Sequence, residues 1–223
     1  MKRLLLVLAV FGMCSAALFA QNIKLSAGLG GNFTADFTSF ALTKDAKDAD
    51  LKAKDWNSHL VGGGFYLFFD ATYVEANVGL LFGNANSDKT DGMSDDQKKG
   101  MDVTAIKLGL FGKYPIDLGS FTLFPMLGID GQLAVGGKFY GEEPADKEEF
   151  NKMFSWFWIK LGVGADIPLA EKFYLRPEFL YGIRLNTEDE KDTIDYYNSG
   201  PTKMVDAIVG HGLDVRVAVG YRF

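Results

Sequence analysis

From residue 21 onward the chain keeps a period of two. Over 23–37, Ile23, Leu25, Ala27, Leu29, Phe33, Ala35 and Phe37 share one phase, while Lys24, Ser26, Gly28, Gly30, Asn32, Thr34 and Asp36 share the other. Successive side chains of a strand point to opposite faces, so this pattern predicts a strand with one apolar and one polar face. The pattern returns seven times. Val74, Ala76, Val78, Leu80 and Phe82 oppose Glu75 and Asn77; Ile106, Leu108 and Leu110 oppose Lys107 and Lys113. Phe121, Leu123, Leu127, Ile129, Leu133 and Val135 oppose Thr122, Asp130 and Gln132. Phe157, Ile159, Leu161 and Val163 oppose Lys160, Gly162, Gly164 and Asp166, and Phe173, Leu175, Phe179, Tyr181 and Ile183 oppose Arg176, Glu178 and Arg184. The last strand, from Ala207, ends on VRVAVGYRF. Segment 58–69 carries aromatics on both phases; a two-residue hairpin at Asp70-Ala71, pairing Phe69 with Thr72, puts Val61, Phe65 and Leu67 on its apolar side.

The connections alternate as well. Short turns are expected near 70–71, 115–119 and 168–172, and long polar segments at 41–56, 86–100, 137–152 and 187–205. Eight strands joined in this way form an up-and-down antiparallel meander with every long loop at one end. No apolar run of helix-spanning length follows residue 20.

Residues 1–20 have another character. Lys2 and Arg3 precede an apolar run from Leu4 to Met13, then small residues at Ser15, Ala16, Ala17 and Ala20. This is the pattern of a secretory signal peptide, with cleavage after Ala20 or Ala17, leaving 21–223 as one domain. An acylated Cys14 is the alternative, which Met13 before it fits poorly. The leader holds Lys2, Arg3 and no acid, so its removal takes the formal net charge from −6 to −8. It also removes the only cysteine, so no disulfide is expected in an exported protein that its compartment would permit to have one. The acidic balance argues against a nucleic-acid partner.

A closed barrel with this pattern faces its apolar phase inward in water or outward in lipid. The polar phase is rich in small residues and carries Lys24, Lys107, Lys113, Lys160, Arg176, Arg184, Arg216 and Arg222 against Asp36, Glu75, Asp130, Asp166, Glu178 and Asp214. Such a mixture suits a narrow polar interior, and the unbroken apolar phase suits a lipid face. Aromatics gather near the short turns (Phe69, Tyr114, Phe121, Phe173, Tyr221, Phe223) and nearer the long loops (Trp156, Tyr140, Phe82, Phe37), as two interfacial girdles would. The expected fold is therefore all-β, an eight-stranded antiparallel up-and-down transmembrane β-barrel.

These features together, with the Gly30-Gly31 region and the Tyr221-Arg222-Phe223 ending, resemble the small eight-stranded outer-membrane proteins of Gram-negative bacteria: the OmpA transmembrane domain, OmpX and OmpW. The resemblance is to the single-domain members, without the peptidoglycan-binding domain of full OmpA. Segment 17–21 is similar to spirochaetal signal-peptide ends. The resemblance implies localisation in the bacterial outer membrane, and Val217, Val219, Tyr221 and Phe223 then resemble the carboxy-terminal signal read by the outer-membrane assembly machinery.

Function is less constrained, because one scaffold hosts pores, adhesins and lipid enzymes. The charges Lys24, Asp36, Glu75, Lys107, Asp130, Lys160, Arg176, Glu178, Arg184, Asp214 and Arg216 are expected to pair across the lumen and plug it. The alternative is a narrow polar path, or an OmpW-like passage for small hydrophobic compounds, which would need an apolar pocket in the extracellular half; Trp156, Trp158, Phe124, Met126 and Leu180 lie on the interior phase to line such a pocket or, the preferred reading, simply to fill space. Acidic runs at 142–149 and 188–195 make the loops a solvated surface or a contact for an extracellular ligand or divalent cation, although calcium-loop spacing is absent. A lipid-A-modifying enzyme would need a Ser/His pair. The only histidines are His59, whose neighbour Ser58 points to the opposite face, and His211, with no adjacent serine. A non-enzymatic protein with no cofactor or metal is the expectation; its partners would be outer-membrane lipid, the assembly machinery and a ligand of the loops.

Overall fold

A computed structural model of the chain describes residues 23–44, 56–87, 100–185 and 205–223. The expected leader, most of three long loops and the 188–195 acidic run lie outside the described residues. The described residues form nine strands in chain order: β1 (Leu25–Leu42), β2 (Trp56–Ala71), β3 (Val74–Ser87), β4 (Met101–Lys113), a two-residue β5 (Ile116–Asp117), β6 (Thr122–Phe139), β7 (Trp156–Pro168), β8 (Phe173–Leu185) and β9 (Val205–Arg222). Each long strand pairs antiparallel with its sequence neighbours, β5 being a short addition to the turn before β6. Pairing of β4 with β6 and of β1 with β9 closes eight strands into a barrel.

The faces are inverted relative to a soluble barrel. Large apolar side chains of every strand lie outside, about half exposed: Leu29, Phe33, Phe65, Leu67, Leu127, Ile129, Leu161 and Val217 among them. Asp130, Glu75, Arg176 and Asp214 are wholly buried inside. Monomeric soluble proteins rarely carry contiguous apolar patches beyond a few hundred Å²; here the whole waist is one. On β2 the outer face is apolar or glycine from Phe69 up to Val61, then turns polar at His59 and Asn57. The outer wall changes at the same level on neighbouring strands: Ser39 Oγ donates to Asn57 Oδ1 at 2.8 Å, and Asn84 Nδ2 to Asp102 Oδ1 at 3.0 Å. The band below is about the 25 Å height of a barrel's lipid-facing belt. The three 18-residue strands β1, β6 and β9 run past that belt on the long-loop side, the extracellular side in such barrels.

The predicted strands form with one shifted turn. β2 and β3 pair Asp70 with Glu75 and Phe69 with Ala76, so the hairpin turns at Thr72-Tyr73, not at Asp70-Ala71. Thr72 takes a left-handed φ of 61° and its hydroxyl closes the turn against the backbone of Lys24, accepting from its N–H at 2.8 Å. The partner moves by an even number of residues, so faces are preserved and Val61, Phe65 and Leu67 stay outside. Asp70, however, moves from the turn into the wall and points inward, 3% exposed.

The lower girdle is present: Phe69, Tyr114, Phe173 and Phe223 are exposed, and Tyr221 stacks edge-on with Phe173 and Phe223 at 5.2 and 5.5 Å. In the upper girdle Phe37 and Phe82 are exposed as expected, but Trp156 and Tyr140 belong elsewhere. Trp156 leans into the top of the barrel, and Tyr140 sits in a turn against Phe139.

The 137–152 segment is not simply a polar loop. A bulge leaves Val135 unpaired between Ala134 and Gly136, so Gly137 faces inward beside Val103. Residues Lys147–Met153 form a short helix, α1, capped by Asp146, whose Oδ1 accepts from the backbone of Glu148 and Glu149 at 2.9 and 3.0 Å. The helix drops Phe150 onto Gly137, where a Cβ would collide with backbone and with the ring. Phe150 and Phe154 then complete an apolar cap with Leu60, Leu81, Ala85, Val103, Ala105 and Ala134.

An arginine on the lipid face is the sharpest test of the inversion. Val217→Arg is expected to lower stability by about 2–4 kcal/mol in urea unfolding from phospholipid vesicles, with Val217→Ile close to neutral.

Candidate functional site: the filled lumen

Starting from the short-turn end, the interior is layered. A vestibule of about 420 Å³ opens at the mouth, walled by Lys24, Asp70, Lys113, Asp117, Asp166 and Arg222 among others. Lys24 is exposed on this rim, ahead of the first strand, so it is not part of the buried network the sequence assigns it to. Two of its wall carboxylates, Asp70 and Asp166, hold the buried Arg176 together with Glu75: Nη2 on Asp70 at 2.5 Å, Nη1 on Glu75 at 2.7 Å, and Nε on Asp166 at 2.7 Å. Lys113 is hydrogen-bonded to Asp70, and Arg222 reaches Asp166 at 3.8 Å. Three cations thus face three carboxylates.

Aromatic rings wrap this cluster. The Arg176 guanidinium lies 4.5 Å from the Phe68 ring centre, 5.0 Å from Phe124 and 5.1 Å from Tyr174. A desolvated guanidinium gains from such faces as well as from its ion pairs. The rings fit because the wall behind them is glycine: a Cβ at Gly220 would strike Tyr174, and one at Gly164 would strike Phe124. Tyr174 and Ser26 share a 2.8 Å hydrogen bond.

The second charge layer fills mid-barrel. Lys160 Nζ bridges Asp130 Oδ2 and Asp214 Oδ2, each at 2.5 Å. Lys107 Nζ lies 3.0 Å from Asp214 Oδ1, and Thr34 Oγ1 donates to the same oxygen at 2.6 Å. Arg216 Nη2 lies 3.3 Å from Asp214 and 3.4 Å from Asp130, with Nη1 at 4.0 Å from Glu178. The pattern is again three cations against three carboxylates. Formal neutrality in each layer limits the cost of burying charges, which is tolerable only when they are paired.

Above lie Trp158, Gln132, Asp36 and Arg184. Arg184 donates to Thr38 Oγ1 at 3.0 Å and stacks on Trp156 at 4.8 Å. Asp36 is 2% exposed, beside Gly212 and Trp158, with no hydrogen-bond partner for either oxygen among the described residues. The structure therefore brings Asp130, Lys160, Lys107, Asp214, Arg216 and Glu178 together, and Arg176 with Glu75, while Asp36 and Arg184 sit above the second layer. Asp70 escapes the sequence reading because the misplaced hairpin hides it; strand parity carried two residues further finds it. The aromatic helix residues of the cap escape it as well, although Asp146 followed by Glu148 and Glu149 is a helix-start signal.

Phe124, Met126 and Leu180 do not line an extracellular pocket. They cluster with Phe111 below the middle charge layer, because Phe124 and Met126 belong to the first turns of the wall above the short-turn end. Trp158 does face inward, 1% exposed. Inward-facing side chains of the described strands are wholly buried along the bore, Phe124, Tyr174, Asp130, Gln132, Leu180 and Leu81 among them.

On the outer wall, Ser58 lies on the lumen phase and His59 on the lipid phase. His211 Nδ1 shares a 2.6 Å hydrogen bond with the Tyr181 hydroxyl, and Ser39 donates to Asn57 rather than to a histidine. Among the described residues no group of three or more His, Cys, Asp or Glu side chains is placed to hold a metal ion. Val217 and Val219 face lipid, Tyr221 is half-buried against Phe173, and Phe223 is exposed, its backbone N–H donating to Leu25 O at 3.0 Å.

Residues 6–223 match the family model described as outer membrane protein beta-barrel domain. No curated protein matches the chain. Solved structures similar to it include the outer membrane protein AlkL (9% identity, 91% of each chain covered, TM-score 0.48). Others are Neisserial surface protein A (11%, 89% of this chain and 99% of that one, 0.39) and a major outer membrane protein from Thermus thermophilus (14%, 86% and 99%, 0.43).

Two substitutions separate paired from unpaired burial. Arg176→Met leaves buried Glu75 without a cation and three carboxylates facing only Lys113 and Arg222, and is expected to cost about 3–5 kcal/mol. Asp36→Asn breaks no hydrogen bond and is expected to change stability by less than roughly 1 kcal/mol. Urea titration of tryptophan fluorescence in vesicles measures both.

Proposed function

The chain belongs to the family of outer membrane protein beta-barrel domains, and on that premise we propose that it is a non-enzymatic barrel with a lumen plugged by its own side chains, acting through its extracellular surface. Its place is the bacterial outer membrane. The observation that carries the reading is the stack of three independent closures along one bore: the Arg176 cluster, the Lys160–Asp130–Asp214–Lys107–Arg216 cluster, and the apolar cap sealed by Phe150 and Phe154. A conducting path would have to break ion pairs in two layers and lift a helix. A plugged lumen leaves the wall and the loop end as the surfaces on which such a protein works.

A narrow channel for small solutes or hydrophobic compounds is the second reading. In its favour stands the vestibule of about 420 Å³, whose wall includes Asp70 and Asp166, two of the carboxylates that hold Arg176. Opposing it, the residues above Arg176 leave the bore filled by salt bridges and rings. A lipid-A-modifying activity is the weakest reading, since Ser39 and His211 are each engaged with another side chain.

Planar-bilayer recording decides. Pure refolded protein is expected to leave the membrane silent. Discrete conductance steps that change in Glu178→Gln or Arg216→Gln would replace the plug with the channel.

A further inference from the structure

The extracellular rim carries a second concavity, separate from the lumen. A groove of about 450 Å³ lies between the end of β6 and α1. Its apolar lining includes Phe139, Pro144 and Met153, and its rim carries Glu142, Glu143 and Glu149. Phe139 and Met153 remain 39% and 50% exposed. That is unusual at a rim already outside the lipid belt, where nothing in the membrane covers them.

The groove is preformed. Phe150 anchors α1 in the apolar cap, Asp146 caps the helix, and Phe139 and Glu142 exchange two backbone hydrogen bonds of 2.8 and 3.1 Å across a turn with left-handed φ at Tyr140 and Gly141. A rigid site loses less on binding than one that must order itself.

Its chemistry selects the occupant. Segment 142–153 holds five carboxylates against Lys147 and Lys152. Both lysines are spent within the segment, on Glu143 at 2.9 Å and Glu148 at 3.0 Å, between well-exposed side chains. Exposed pairs of this kind hold by tenths of a kcal/mol and exchange readily. Glu142 and Glu149 have no ion-pair partner among the described residues. An anionic partner is repelled here, and a bare metal ion would find no carboxylate cage. A purely apolar partner would use only the floor.

We propose that this groove binds a cationic amphipathic peptide, bulky apolar side chains on Phe139 and Met153 and lysines or arginines on Glu142 and Glu149. Methionine suits such a floor, because its unbranched thioether adapts to different side chains. The groove's size matches that of small-ligand pockets, so it takes one or two bulky side chains rather than a folded domain. The inference deepens the surface-interaction reading and rests on it for the orientation of this rim.

The test uses the barrel refolded in phosphatidylcholine nanodiscs, which carry no net charge. The probe is the capped hexapeptide Lys-Phe-Lys-Leu-Lys-Phe, with Glu-Phe-Glu-Leu-Glu-Phe as its acidic counterpart and empty nanodiscs as the baseline. With 13C-methyl methionine, binding is expected to shift the Met153 methyl resonance, identified by its loss in Met153→Leu. The double variant Glu142→Gln/Glu149→Gln is expected to weaken binding about tenfold and to flatten its salt dependence. Both glutamates are exposed, so the variant keeps the fold, checked by its heat-dependent gel mobility. The acidic hexapeptide is expected not to bind. Unchanged affinity in the double variant, or saturation without a Met153 shift, overturns the proposal. Conductance in the planar bilayer would overturn the closed lumen and leave the groove standing; failed peptide binding with a silent bilayer would do the reverse.

Discussion

Every feature of this barrel follows from the cost of a bare peptide group in hydrocarbon. An unpaired N–H or C=O there costs several kcal/mol, so a sheet in a membrane must have no edge. Closure between β4 and β6 and between β1 and β9 meets that demand. Once the wall is closed with eight strands, the bore is only wide enough for side chains. The apolar phase must then go outward and the polar phase inward, where its charges are cut off from bulk water. Pairing inside is a consequence of closure outside.

The interior meets that second demand in compartments. Each ionic layer is balanced on its own, and rings over glycine separate the Arg176 layer from the middle layer. The several nitrogens of arginine and the single one of lysine are used differently. Arg176 gathers three carboxylates from three strands through separate nitrogens, while Lys160 bridges two carboxylates through one. Above the two ionic layers Asp36, Gln132 and Arg184 give way to an apolar cluster at the mouth, to which α1 adds rings from outside the sheet.

Much of this is legible in the order of residues. Period two marks the strands and their faces, and the inward set Asp130, Lys160, Arg176, Glu178, Asp214 and Arg216 follows from parity alone. Parity is a local property, since a side chain's face depends only on its place in its own strand. Even the misplaced β2–β3 hairpin keeps the faces right, because the slip is even. What it loses is Asp70, whose role depends on whether it belongs to a turn or a wall. Trp156 and Phe124 show the other limit. Both lie on the lumen phase, but their height along the bore, one in the cap and one against the Arg176 cluster, is set by register and tilt between strands.

Alternation along the chain is enough to assign the strands, their lipid-facing and lumen-facing phases, and most of the charges that had to be neutralised inside. These are one-dimensional facts, set by the pleat and by the penalty for charge in oil. Folding in three dimensions settles which carboxylate meets which cation, that Lys24 stays outside the network, and that a seven-residue helix lays Phe150 over Gly137. Those pairings join residues on different strands and far apart in the chain, Arg176 with Glu75 or Lys160 with Asp214, and they exist only once the eight strands share a single closed register.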